Sequence, residues 1–190
     1  MEKSMKKQKL LVIGIVLVVI IIIVCNVARH SDSKKENASA FDLTAVGIKY
    51  GKDDAPVRIV EYGDFNCSDC REMFYDCLEM FCEKIEEGQI EYIFKPVSDA
   101  IYPKIKILKQ DDLSELKAVF ENANTYLEDN YEVTIDEKLM EERKEEVEVI
   151  KKEMTQYNIQ MIPTLYINDE KLVGLYDKET ISKLLNSVVK

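Results

Sequence analysis

The sequence predicts an α/β domain in which a strand–helix–strand half and a strand–hairpin–helix half share one sheet. A helical insertion separates the halves, and one membrane-spanning helix precedes them. Three observations carry this prediction. A hydrophobic run from Val57 to Tyr62 breaks at Gly63, passes Cys67-Ser68-Asp69-Cys70, and continues into Met73, Phe74, Leu78, Phe81 and Ile85 at helical spacing. The segments Ile90 to Phe94 and Thr164 to Ile167 are rich in β-branched and aromatic residues. Between those segments, apolar residues recur with a helical period in a strongly charged background. With 190 residues, 46% of them hydrophobic, the chain has room for one packed domain plus appendages.

Residues 1–9 carry Lys3, Lys6, Lys7 and Lys9 and lead into an uncharged run, 10–28, of about 19 residues, close to the span of a bilayer core. These lysines outweigh the mixed charges that follow, Arg29, Lys34 and Lys35 among Asp32 and Glu36. The N-terminus is therefore expected in the cytoplasm and the rest of the chain outside, on a single-pass anchor in the cell membrane. Ala38-Ser39-Ala40 has the small-residue pattern of a signal cleavage site but lies well past the apolar run, so the signal anchor is expected to be retained. Cys25 follows Val24 rather than a small residue and reads as a lone membrane cysteine. Residues 29–40, polar and without apolar periodicity, read as a tether. The chain carries a net charge of −10, and the part beyond Glu2 and the four lysines is more acidic still. Such a surface argues against a nucleic-acid partner and is repelled by anionic headgroups.

The domain proper is expected over 41–190. Phe41 to Tyr50 alternates apolar residues and, with the turn Gly51 to Pro56, reads as a hairpin-like unit entering the central strand. The helix after the cysteines should end at Gly88, and Pro96 should close the strand Ile90 to Phe94. Residues 97–157 read as the helical insertion. Leu113, Leu116, Phe120, Ala123 and Leu127 share one helical face, and Thr134-Ile135-Asp136-Glu137 has the form of a capping box opening a second helix. In that helix Leu139, Val147, Ile150 and Met154 should face inward, with Glu141, Glu142, Glu145, Glu146 and Glu148 solvated. A turn at Asn168-Asp169, a partner strand Lys171 to Gly174 and a helix capped by Asp177 complete the chain.

The strand-to-helix position of Cys67 and Cys70 matters chemically. Unpaired N–H groups and the dipole at a helix N-terminus favour a thiolate, so Cys67 is a candidate nucleophile with Cys70 one turn behind it. Two other readings of the same residues stay open at this point. The pair could form a structural disulfide, and Cys67, Cys70, Cys77 and Cys82 could form a four-cysteine zinc site on an anchored module. Helical geometry argues against zinc, and also against a Cys77–Cys82 bond, whose Cα atoms would stand about 8 to 9 Å apart. Both are expected to be core thiols. A cysteine protease lacks its base, because the one histidine, His30, belongs to the tether.

Two segments carry a resemblance. Ala55 to Tyr62 followed by Asp64-Phe65-Asn66-Cys67-Ser68-Asp69-Cys70 resembles the active-site entry of DsbA-like thiol–disulfide oxidoreductases of the membrane-anchored Gram-positive kind, and Met161 to Asn168 resembles the cis-proline strand of the thioredoxin fold. The likeness runs from Phe41 to Lys190, weakly through the middle. It implies a thioredoxin-like fold with an inserted helical subdomain and an extracytoplasmic enzyme exchanging disulfides with secreted or surface proteins, with no cofactor. On this likeness Cys67 is the nucleophile, Cys70 the resolving cysteine and Glu61 a buried proton shuttle. Ile162 and Pro163 form a substrate-binding cis-proline loop, while Ser68 and Asp69 tune the redox couple. The family as a whole favours the oxidase direction, which requires a quinone-linked membrane partner; a reductase or isomerase would need a membrane electron donor instead. Ile162 is similar to the thioredoxin residue at this point and leans toward the reducing side. So does the Asp69 carboxylate, which repels charge on the Cys67 sulfur.

Overall fold

In a computed structural model, described over residues 38–106, 112–128, 131–132 and 135–188, five strands form one sheet in the order β1-β3-β2-β4-β5. The strands are β1 (Ile48–Tyr50), β2 (Val57–Gly63), β3 (Ile90–Pro96), β4 (Thr164–Ile167) and β5 (Glu170–Val173). Helix α1 (Ser68–Glu86) crosses from β2 to its parallel neighbour β3. The insertion supplies α2 (Leu113–Glu121), α3 (Ala123–Leu127) and α4 (Glu137–Gln156), and α5 (Lys178–Val188) ends the fold. This is a thioredoxin-like α/β fold with a helical insertion. The expected membrane segment, 10–28, lies outside the described residues, among which no helix is long and apolar enough to cross a membrane.

Both faces of the sheet are covered, which is why its central strands lack the clean alternation of a half-exposed sheet. One face, with Ile59, Tyr92, Phe94 and Leu165, packs on Phe74 and Phe81 of α1, Phe120 of α2 and Ile181 of α5. The opposite face, with Val60, Tyr62, Ile93 and Tyr166, packs on Ile150 of α4 and on Ala38, Ala40 and Leu43. Local signals set the boundaries. Gly88, at φ +68, closes α1 with bonds from its own N–H to Ile85 O and from Gln89 N–H to Lys84 O, and Asp177 Oδ1 accepts from Thr180 N–H at the start of α5.

Four expectations need correction. Residues 38–40 are not tether: Ala38 and Ala40 are buried, and Ala40 N–H donates to Asn168 O at 2.6 Å. Phe41 to Tyr50 makes no hairpin with the central strand. Ser39 closes a capping box on a 3₁₀ turn at Ala40–Asp42, and only Ile48–Tyr50 is strand, paired antiparallel with β3. The first insertion helix breaks at Asn122 into α2 and α3, which leaves Leu127 exposed. Finally, α4 is capped by Asp136, whose carboxylate accepts from Lys138 and Leu139 N–H; Thr134 lies outside the described residues. The residues that α4 buries are Arg143, Val147, Ile150 and Glu153, while Leu139 and Met154 are only half-buried and Glu146 accepts the Tyr102 hydroxyl at 2.5 Å.

Candidate active site

β2 ends at Gly63, which runs beside Pro96 of β3 and so close to the Phe94 ring that only glycine fits. A Cβ on Gly63 would stand 2.7 Å from Phe94 Cε2, closer than any ordinary contact. Asp64 Oδ1 then accepts from Asn66 N–H, Asp64 O accepts from Cys67 N–H, and Phe65 anchors the loop between Phe94 and Phe120. Cys67 is the N-cap of α1. Its backbone is extended (φ −84, ψ 122), its Sγ accepts from Cys70 N–H at 3.3 Å, and its side chain is part-exposed. Ser68 and Asp69 occupy the exposed first turn, with the Ser68 hydroxyl donating to Asp69 Oδ1 at 3.2 Å.

Cys70 is fully buried one turn behind. Burial, and then its hydrogen bond with Cys67, push its thiol well above the ordinary range. The two sulfurs therefore differ in the way exchange requires, one reachable and one sheltered. Beneath them Glu61 is completely buried, which pushes its carboxyl up to about 8; the Tyr92 hydroxyl, donating to Oε2 at 2.7 Å, works against that rise. Its charge reaches Cys70 and Cys77, both of which it raises.

The Ile162–Pro163 peptide is cis. Because β4 runs antiparallel to β2 with Thr164 opposite Tyr62, residues 162 and 163 stand at the end of the sheet where β2 gives way to the cysteine loop. Pro163 O accepts from Gly174 N–H at 2.8 Å, and Ile162 packs on the same core as Cys67 and Cys70.

Cys77 is fully buried and Cys82 half-buried, both as free thiols, so the expected burial holds for Cys77 and only partly for Cys82. Cys67, Cys70, Cys77 and Cys82 are strung along α1, and no three Cys, His, Asp or Glu side chains converge as metal ligands among the described residues. His30 lies outside them.

Two features of the site's surroundings carry no motif. Tyr92 is one aromatic among several in a β-rich run. On the opposite face, Lys95 and Glu153 form a buried ion pair; Glu153 also accepts from the Tyr62 hydroxyl at 2.5 Å and from Thr44 N–H at 2.6 Å. A charged residue at a position of sheet alternation, Lys95 beside Phe94, is the only trace of this network in the sequence.

Residues 44–187 match a family model described as Thioredoxin. Over 93 residues, 47% of this chain, the sequence is 34% identical to the probable disulfide bond formation protein D of Bacillus cereus, of which the match covers 43%. The same named protein of Bacillus anthracis is 34% identical over 89 residues. The chain thus spans less than half the length of these curated relatives. Among solved structures, oxidised BdbD from Bacillus subtilis is similar with a TM-score of 0.58 and 24% identity, covering 76% of this chain and 93% of that one. A conserved protein of unknown function from Enterococcus faecalis V583 has a TM-score of 0.60 and 18% identity, covering 78% and 94%. At these identities the structural likeness is one of fold.

Proposed function

The chain belongs to the thioredoxin family, and on that premise we propose that it is a DsbA-type thiol–disulfide oxidoreductase acting on cysteine-containing proteins through Cys67 and Cys70. The observation that carries this reading is the asymmetry of the pair: a part-exposed sulfur capping α1, and a buried one above a carboxyl pushed up to about 8. In the oxidising direction a substrate thiolate attacks Cys67 Sγ. The Cys67–Cys70 bond breaks, and Cys70 leaves as a thiolate that takes a proton from Glu61. A second substrate thiolate then attacks the substrate sulfur of the mixed disulfide, and Cys67 leaves. The substrate dithiol has lost two electrons, and the protein disulfide has gained them. Ile162 and Pro163 would bind the substrate backbone beside the pair.

The relatives' name, disulfide bond formation protein, supports the oxidising direction. That direction needs a membrane partner, quinone-linked in kind, to re-oxidise the pair. The uncharged run 10–28 and the lysines before it support anchorage in the cell membrane with the domain outside. The experiment is Cys70→Ser, which removes the sulfur whose attack on Cys67 would release the bound substrate from within the protein, and should accumulate mixed disulfides through Cys67. Adducts recovered only on Cys77 or Cys82 would overturn the reading.

A further inference from the structure

We infer that Tyr92 is a positioning residue of the cysteine-pair chemistry: its phenol holds one oxygen of the Glu61 carboxyl, so that the other, turned toward the cysteines, exchanges the proton with Cys70. This rests on the disulfide exchange proposed above and adds a residue to it. The register of β2 and β3 sets the geometry. Ile59 lies opposite Tyr92, Glu61 opposite Phe94 and Gly63 opposite Pro96. On this face Tyr92 stands one step back from the active end of the sheet, and Gly63 one step toward it. Tyr92 Oη donates to Glu61 Oε2 at 2.7 Å. Glu61 Oε1 is buried without a hydrogen-bond partner, and a Cβ on Gly63 would stand 3.3 Å from it. The two oxygens are therefore inequivalent, one tied to the rear of the site and one open beside the strand end that leads to Cys67.

The phenol is firmly held. Its ring packs against those of Phe81, Tyr50 and Phe74 at centroid distances of 5.2, 6.3 and 6.4 Å, and Tyr92 and Glu61 are both fully buried. Glu61 lies opposite Phe94 on β3 and Leu165 on β4, both apolar; Tyr92 of β3 donates to it, and the Cys70 and Cys77 thiols of α1 sense its charge. None of these is a cation, so the phenol is the group that steadies the carboxylate once the proton has left. When a substrate thiolate breaks the Cys67–Cys70 bond, the proton on Oε1 passes through one bridging water to the departing Cys70 thiolate while Tyr92 keeps its donor on Oε2. In resolution Cys70 returns that proton to Oε1 as its sulfur attacks Cys67 and the substrate thiolate leaves.

Tyr92→Phe removes the donor and keeps the ring. Tyr50→Phe is the control, since its hydroxyl is also buried and its ring packs on Tyr92, but it has no hydrogen-bond partner. Carbon NMR of the full chain labelled at Glu carboxyl carbons, assigned with Glu61→Gln, reads the Glu61 titration directly. Tyr92→Phe should raise its midpoint by about one pH unit, and Tyr50→Phe should leave it in place. The pH at which resolution of a Cys67–substrate adduct reaches half its maximal rate should rise by the same amount. An unmoved Glu61 midpoint in Tyr92→Phe, or equal shifts in both phenylalanine variants, overturns the assignment. Because the carboxyl is titrated without turnover, the two failures differ: no exchange by the wild type refutes the proposed function, whereas normal exchange with an unmoved midpoint refutes the role of Tyr92.

Discussion

Replacing Glu61 by Gln should flatten the pH dependence of folding stability at mildly acidic to neutral pH. In the folded protein burial pushes this carboxyl from 4.5 up to about 8, and in the unfolded chain water restores the ordinary value. Between those values the folded state holds a proton that the unfolded state has released. The stability due to this group is therefore fully present below the unfolded pKa, falls as pH rises, and stops falling once the folded pKa is passed. Each unit inside the window costs about 1.4 kcal/mol, so the step from about pH 5.5 to about pH 7.5 should cost the wild type about 2.5 kcal/mol, allowing for partial ionisation at the upper end. Urea denaturation of the reduced full chain at several pH values measures this. The upper limit stays below the range in which unfolded thiols ionise. Any fixed penalty of burying the Gln amide drops out when slopes are compared, and so does every other titrating group the two proteins share. Parallel pH dependences in wild type and Glu61→Gln would refute the argument that burial holds Glu61 neutral.

Three further outcomes are expected. Asp69→Asn removes an exposed carboxylate from the first turn of α1 and should make the Cys67–Cys70 couple more oxidising by about 10 to 20 mV in glutathione redox buffers; an unchanged or more reducing couple would show that the carboxylate does not act on the sulfur. Glu153→Ala strands Lys95 in the core and should destabilise the fold by about 3 to 5 kcal/mol in urea, whereas Lys95→Met with Glu153→Leu should recover most of that loss; equal costs for the single and double variants would contradict the pairing. An impermeant thiol label applied to intact, reduced cells should reach Cys67. Protection of every thiol would refute the extracytoplasmic placement.

What could be read from the residues and what could not divide along physical lines. Val57–Gly63, α1 and β3 were legible because each carries its own stop signal: Gly63, the Gly88 C-cap and Pro96 act within a few residues of chain. Asn168 at positive φ, turning β4 into β5, was legible for the same reason. The cysteine loop was legible from its strand-to-helix setting, whereas the cis-proline segment, about ninety residues further on, stood out only through its likeness to known proteins. The rest depends on partners distant in sequence. Nothing near Glu153 distinguishes it from the solvated glutamates around it; Lys95, Tyr62 and Thr44, each far away in the chain, turn it inward. Tyr92 likewise differs from the tyrosines around it only through Glu61, which lies on a neighbouring strand. The N-terminal stretch misled because its alternation is real but serves two masters: Leu43 packs on the α4 side of the sheet, Ile48 and Tyr50 on the α1 side.

Glu61 and Tyr62 are consecutive residues of β2, and the pleat sends them to opposite sides of a sheet one residue thick. On one side stands a carboxyl that burial pushes up to about 8; on the other, a phenol that burial and the charge of Glu153 raise far above its ordinary range, fixed to an ion pair. Strand parity alone decides which of the two lies beneath the cysteines. A single residue inserted or deleted between Val57 and Glu61 would turn the strand over, delivering the inert phenol to Cys70 and the acid to Lys95. Such a chain would keep its cysteine loop intact, letter for letter, and still lack the buried carboxyl on which the proposed exchange draws. Transplanting this loop into another scaffold therefore means carrying over the odd-and-even phase of the strand before it, together with the neighbour that holds the acid in place.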